Sequence, residues 1–294
     1  MSQLTTDRVE VGPAGDGPSD GGQRPRRRVG RIVLIVGLVL LLVVGGTAAV
    51  LWFGRDEARE RRDDEALDDF RQSGAVAGAA EGRPAAGVYT GTAEGQESIG
   101  LPGMDESLGP NAPVTITHGD GGCFTYRVDL NTHHWRTWSF CPEGDVAFAL
   151  VGLETYSTRD VPGLDLSTRV TYTCETPIPY LWTDPEVGDR REGACTGVSD
   201  QLDGPTADAG VVEVLEVASV TVAGRQVDAV RVRSTDELSG AQTGTEVDEW
   251  WLDAATGLPL RLVIDSRASS DSPLGSIDYV ETASVELTSL EPRT

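Results

Sequence analysis

From Ile32 to Phe53 the chain reads IVLIVGLVLLLVVGGTAAVLWF, 22 residues without a charge. At about 1.5 Å per residue a helix of that length spans a hydrocarbon core of roughly 30 Å. Backbone polar groups find no water in lipid, so the run is expected to be helical. Arg24, Arg26, Arg27, Arg28 and Arg31 crowd its N-terminal flank, whereas Arg55 on the far side is followed at once by Asp56 and Glu57. The positive-inside rule then puts residues 1–31 in the cytoplasm and the rest outside. The expected product is a single-pass protein of the cell membrane with an extracytoplasmic C-terminal domain. A cleaved signal peptide is the rival reading, but it would have a shorter apolar region with its small-x-small site beyond it. Here Thr47-Ala48-Ala49 lies inside the run, which favours an uncleaved anchor.

The span separates stretches of unlike composition. Residues 1–31 are Gly, Pro, Asp and Ser around a basic end, too polar to bury a core, and are expected to be a disordered tail. Residues 54–86 read as a charged helical and flexible stalk. Arg55–Gln72 holds eight acids and five Arg, with only Ala58, Ala66, Leu67 and Phe70 apolar. Pairs such as Glu57 and Arg61 at i,i+4 support an exposed helix. Residues 87–290 form the exterior domain. The chain has 24 basic residues, none of them Lys, and 47 acids, a net charge of −23. The first 31 residues take six Arg and four acids, which leaves 18 against 43, or −25, for the remainder. A field of that sign repels nucleic acid and anionic headgroups and attracts cations or basic partners.

Beyond the stalk the pattern is that of strands. Val114–Thr117 alternates, and Phe124–Leu130 and His134–Phe140 fold about Asn131-Thr132-His133. In that register Leu130 opposes His134 and Cys123 opposes Cys141, the arrangement a cross-strand disulfide needs. Further strands are predicted at 145–154, 167–174, 211–217, 219–223, 227–233, 246–253, 258–265 and 276–287. Residues 95–112 and the Pro-rich stretch between Cys174 and Cys195 read as loops. The result is an all-β or β-dominated exterior domain with an antiparallel sheet.

All four cysteines lie beyond the span, which fits an oxidising compartment and two disulfides. Cys123–Cys141 follows from the hairpin register and Cys174–Cys195 by elimination. Zinc binding is the alternative, but the CxxC spacing that zinc prefers is missing. A nucleophilic cysteine beside one of the three histidines is a further one. His133 and His134 are adjacent in the predicted turn, where their side chains diverge into solvent, and with His118 they are not expected to collect a metal. Asp120, Asp184, Asp189 and Asp203 offer calcium oxygens without the spacing of a calcium loop. Beyond the span there is no G-x-S-x-G, H-E-x-x-H or P-loop, so neither cofactor nor catalysis is expected. Trp250 and Trp251 must face opposite sides of a strand, and Trp135 and Trp138 also differ in parity. About half of these rings are expected in the core. The others are expected to line a hydrophobic ligand groove, for which Trp135, Trp138, Trp250 and Trp251 are the candidates.

The segment Glu249–Asp265, EWWLDAATGLPLRLVID, resembles the strand–turn–strand signature of LolA-like and RseB-like envelope proteins, with Thr256-Gly257-Leu258-Pro259 as the turn. Gly257 would supply the positive φ and Pro259 would begin the next strand. The resemblance covers under fifty residues, and it implies a strongly curved antiparallel half-barrel that shelters acyl chains or senses envelope lipids. The composition, with one anchor and one exported domain, resembles that of actinobacterial membrane proteins. The function expected is non-catalytic binding of a lipid or other hydrophobic envelope molecule. The alternatives are a sensing or scaffolding ectodomain that binds another envelope protein, and a hydrolase with an unrecognised carboxylate or metal site.

Overall fold

The computed structural model describes residues 58–80, 82–100, 104–161, 164–165, 167–272 and 275–294. The apolar run 32–53, the tail 1–31 and the topology drawn from them lie outside these residues. No helix among the described residues is long and apolar enough to cross a membrane.

After one helix, α1 (Asp63–Gln72), the chain is almost entirely strand. The first half contributes β1 (Gly78–Ala80), β2 (Arg83–Tyr89), β3 (Gly91–Ser98), β4 (Glu106–Leu108), β5 (Val114–His118), β6 (Phe124–Asp129), β7 (His134–Glu143) and β8 (Val146–Ser157). A small two-stranded piece, β9 (Asp160–Val161) with β10 (Leu164–Asp165), precedes β11 (Thr168–Trp182). The second half is a meander of long strands: β12 (Arg190–Ser199), β13 (Thr206–Val222), β14 (Arg225–Gly240), β15 (Gln242–Asp253), β16 (Pro259–Ser272) and β17 (Gly275–Leu287).

Fifteen strands make one curled antiparallel sheet in the order β1-β2-β5-β6-β7-β8-β11-β12-β13-β14-β15-β16-β17-β3-β4. Only Thr90 separates β2 from β3, yet β2 pairs with β5 and β3 pairs with β17, near opposite ends of that order. The two ends of the sheet are therefore drawn together. Val88 and Arg293 exchange backbone hydrogen bonds of 2.9 and 2.8 Å across the join. The β-dominated, antiparallel and curled architecture agrees with the sequence.

Three local expectations change. Residues 95–112 are not all loop, since β3 runs to Ser98 and β4 adds a short strand. β11 continues past Cys174 through Pro177 and Pro179 to Trp182, because register shifts on both sides absorb the missing donors. The charged helix is shorter than expected and does not project as a stalk. Its Ala66, Leu67 and Phe70 pack on Ala86 and Val88, while Arg71 Nη2 donates to the Thr294 carbonyl at 2.8 Å. Burying such an apolar stripe stabilises by about 1.5–3 kcal/mol per large side chain. Exposed i,i+4 ion pairs give less than about 1 kcal/mol each, so packing wins over projection.

Both disulfides are those expected, Cys123–Cys141 and Cys174–Cys195, and no described cysteine is free. The β6–β7 register runs from Phe124↔Phe140 to Asp129↔Trp135, as read from the sequence. In the β15–β16 turn Gly257 has φ +71° and its N–H donates to the Asp253 carbonyl at 2.7 Å. The ring of Phe148 packs where a Cβ on Gly257 would stand.

Candidate functional site

The inside of the curled sheet is built in layers. On β7 the alternation turns His134, Arg136, Trp138 and Phe140 inward, and Trp135, Thr137 and Ser139 outward. Trp138 and Phe140 join Phe124, Tyr126, Tyr180 and Trp250 in an aromatic floor. Trp250 is its hub, edge-on to Trp138 at 5.0 Å and to Tyr180 at 5.5 Å. Each such pair contributes about 0.5–1.5 kcal/mol beyond its buried area.

Above the floor the interior turns polar. Glu281 on β17 lies directly opposite Glu97 on β3, and both are 0% exposed. Two carboxylates so placed repel each other. They are reconciled by cations from β7, which is far from them in sheet order but across the interior. The Nδ1 of His134 lies 3.3 Å from Glu97 and its Nε2 lies 3.5 Å from Glu281. These are ionic contacts rather than aligned hydrogen bonds. Arg136 donates to Glu281 Oε2 from Nε at 3.1 Å and from Nη2 at 2.6 Å, and to both oxygens of Glu246 at 2.8 and 3.1 Å. Tyr279 donates its hydroxyl to Glu281 at 2.6 Å. Arg159 lies 2.7 Å from Glu97 and 3.2 Å from Glu106, which in turn faces His133 at 3.3 Å. One continuous ionic belt thus ties β7 to β3, β4, β15 and β17.

Burial works against the charge of His134, but Glu97 and Glu281 outweigh it and lift the imidazole to about 9. Burial likewise opposes Glu97, and His134 with Arg159 brings that carboxyl down to about 2. Glu281 is also lowered against its burial, by Arg136 and His134. The reading of His133 and His134 as a solvated turn is therefore corrected. They are 8% and 1% exposed because the hairpin end is tucked under β4 and each ring meets a carboxylate.

A cavity of about 350 Å³ opens above this belt. One part of its wall is apolar, with Leu150, Leu153, Val170, Leu238 and Ile277, and another part is acidic. The register of β13, β14 and β15 places Asp248 opposite Ser234, Glu246 opposite Asp236, and Asp208 opposite Leu238. Asp248, Asp236 and Asp208 thus climb the wall by one inward position per strand. All three line the cavity and are at most 8% exposed. Burial, with Glu246 adding to it, raises Asp208 to about 7. Asp236 is raised well above the carboxylate range by burial and Asp208, and Asp248 by burial and Glu246. Ser234 donates to Asp236 Oδ2 at 2.7 Å, while Asp208 Oδ1 and Asp248 Oδ1 have no hydrogen-bond partner.

Of the four candidate tryptophans, only Trp138 touches the cavity. Trp250 is 0% exposed in the floor beneath. Trp135 and Trp251 lie on the outer face. Trp135 stacks on Tyr156 under Arg127, and Trp251 is flanked by Arg231 at 4.7 Å and Arg261 at 4.8 Å. Parity sorted the rings correctly into two faces. It left out that guanidinium groups cover the outer ones. The aspartate wall has a sequence signal only in retrospect: Asp208, Asp236 and Asp248 sit at inward parity among apolar neighbours. No group of three or more His, Cys, Asp or Glu among the described residues is arranged to hold a metal ion. No protein-family model, curated protein or solved structure matches the chain.

Proposed function

We propose that this domain binds one small amphipathic molecule, non-catalytically, inside its curled sheet. The observation that carries this reading is the cavity of about 350 Å³ in a β interior otherwise filled by aromatic rings. Ligand sites of roughly 300–1,000 Å³ with apolar walls and a few convergent polar groups are the common form for small molecules. A volume near the lower end favours a single short chain or ring system over a multi-chain lipid. The proposal extends to place: two disulfides suit an oxidising compartment, and the apolar run 32–53 would tether the domain to the membrane that faces it.

Carboxyls raised by burial also support a second reading, a hydrolase that uses one aspartate as acid and a neighbouring carboxylate as base. Binding is favoured because both oxygens of Glu246 are taken by Arg136, which leaves the nearest carboxylate poorly placed as a base. The test is native mass spectrometry of the full chain beside a Leu153→Trp variant, whose indole would fill the cavity. A one-to-one small-molecule adduct present in the former and missing from the latter is expected. No adduct in the wild type, or one that survives the plug, refutes the reading.

A further inference from the structure

The acidic wall is selective in charge. The belt beside it has four carboxylates, Glu97, Glu106, Glu246 and Glu281, against the three partners Arg136, Arg159 and His134. The nitrogens of Arg136 are committed to Glu246 and Glu281, although its charge is also felt by Asp248. No ion pair is formed by Asp208, Asp236 or Asp248, and two of their oxygens point to no donor within the protein. A buried acceptor without a donor costs about 1–3 kcal/mol. An anionic head would meet three acids and a belt already rich in carboxylate.

We propose that Asp208, Asp236 and Asp248 receive the ammonium head of an amphipathic primary amine, with its apolar body against Leu150, Leu153, Val170, Leu238 and Ile277. This rests on the ligand-binding reading above and names the ligand class. A primary ammonium has three N–H donors and no acceptor, which matches a wall of acceptors on three adjacent strands. Charge-assisted hydrogen bonds of this kind are roughly twice as strong as neutral ones. The negative field of the chain, −23 overall, would also draw cations toward the domain. The raised aspartates fit the same picture, since each holds a proton until a cation displaces it.

Isothermal titration of the full chain with n-octylamine, octan-1-ol and octanoate tests this, because the three probes share one chain and differ in the head. Octylamine should bind at least tenfold more tightly than octanol, and octanoate most weakly. Asp248→Asn and Asp208→Asn, which keep side-chain size, should each weaken octylamine by tenfold or more and move octanol by less than twofold. Asp208 lies higher on the wall, so its variant serves if Asp248→Asn fails to fold. Equal binding of amine and alcohol, tighter binding of octanoate, or amine affinity unchanged in both variants overturns the amine assignment and leaves the cavity reading standing. If neither octylamine nor octanol binds, both fall.

Discussion

Glu281→Gln is the sharpest test of the ionic belt, since it removes one charge and almost no volume. Glu281 is fully buried and its Oε2 accepts from Arg136 Nε, Arg136 Nη2 and Tyr279. A glutamine must keep its carbonyl at that point, which turns its NH₂ toward the His134 ring that now sits 3.5 Å from Oε1. Donor then faces cation, and Arg136 and His134 share only Glu246 and Glu97 as counter-charges. Removing one partner of a buried pair costs about 3–5 kcal/mol. For a domain of this size that is a fall in Tm of about 6–20 °C. Urea unfolding followed by tryptophan fluorescence should show the loss at pH 6. His134 is raised from 6.5 to about 9, so its stabilisation is whole below 6.5 and is lost as pH rises through 9. Glu97 is lowered from 4.5 to about 2, so its share is whole above 4.5 and is lost as pH falls through 2. The gap between wild type and variant should therefore be widest at pH 4.5–6.5 and narrower at pH 9. His134→Gln in the Glu281→Gln background should restore part of the loss, by about 0.5–3 kcal/mol of coupling. A cost below about 1 kcal/mol, or strict additivity of the two changes, would refute the belt as a coupled charge network.

Three further outcomes are expected. Asp208 is raised from 3.8 to about 7, so the wild type loses stability as pH climbs through that interval; Asp208→Asn should match it at pH 4 and exceed it at pH 8 in urea melts. The disulfides close loops of 18 and 21 residues, so replacing either pair by serine should cost about 3 kcal/mol on the loop-entropy model, and a difference above 1 kcal/mol between the two would contradict it. Gly257→Ala must accept φ +71° and displace the Phe148 ring, whereas Gly224→Ala, at φ +75° with nothing within 4 Å of its new Cβ, meets backbone strain alone. Thermal melts should give about 1–2 kcal/mol for the Gly224 change and at least about 1 kcal/mol more for Gly257.

Local order along the chain determined much of this protein. Period-two alternation fixed which residues of β7 and β15 share a face, and the Asn131–His133 turn fixed the register that joins Cys123 to Cys141. The Thr256-Gly257 turn carried its positive φ in its composition. These are short-range effects, set by neighbours within a few residues. Tertiary structure decided the site. His134 and Glu97 are 37 positions apart and Arg136 and Glu281 are 145 apart. Nothing in either stretch says that the sheet will curl until they meet. The helix 63–72 looked solvated because its charges are local, while the surface that buries Leu67 and Phe70 comes from β2. A carboxyl such as Asp248 reads as one acid among 47 until strands on both sides and a floor of indoles withdraw its water. Desolvation belongs to the assembled interior, and it separates a surface charge from a binding group.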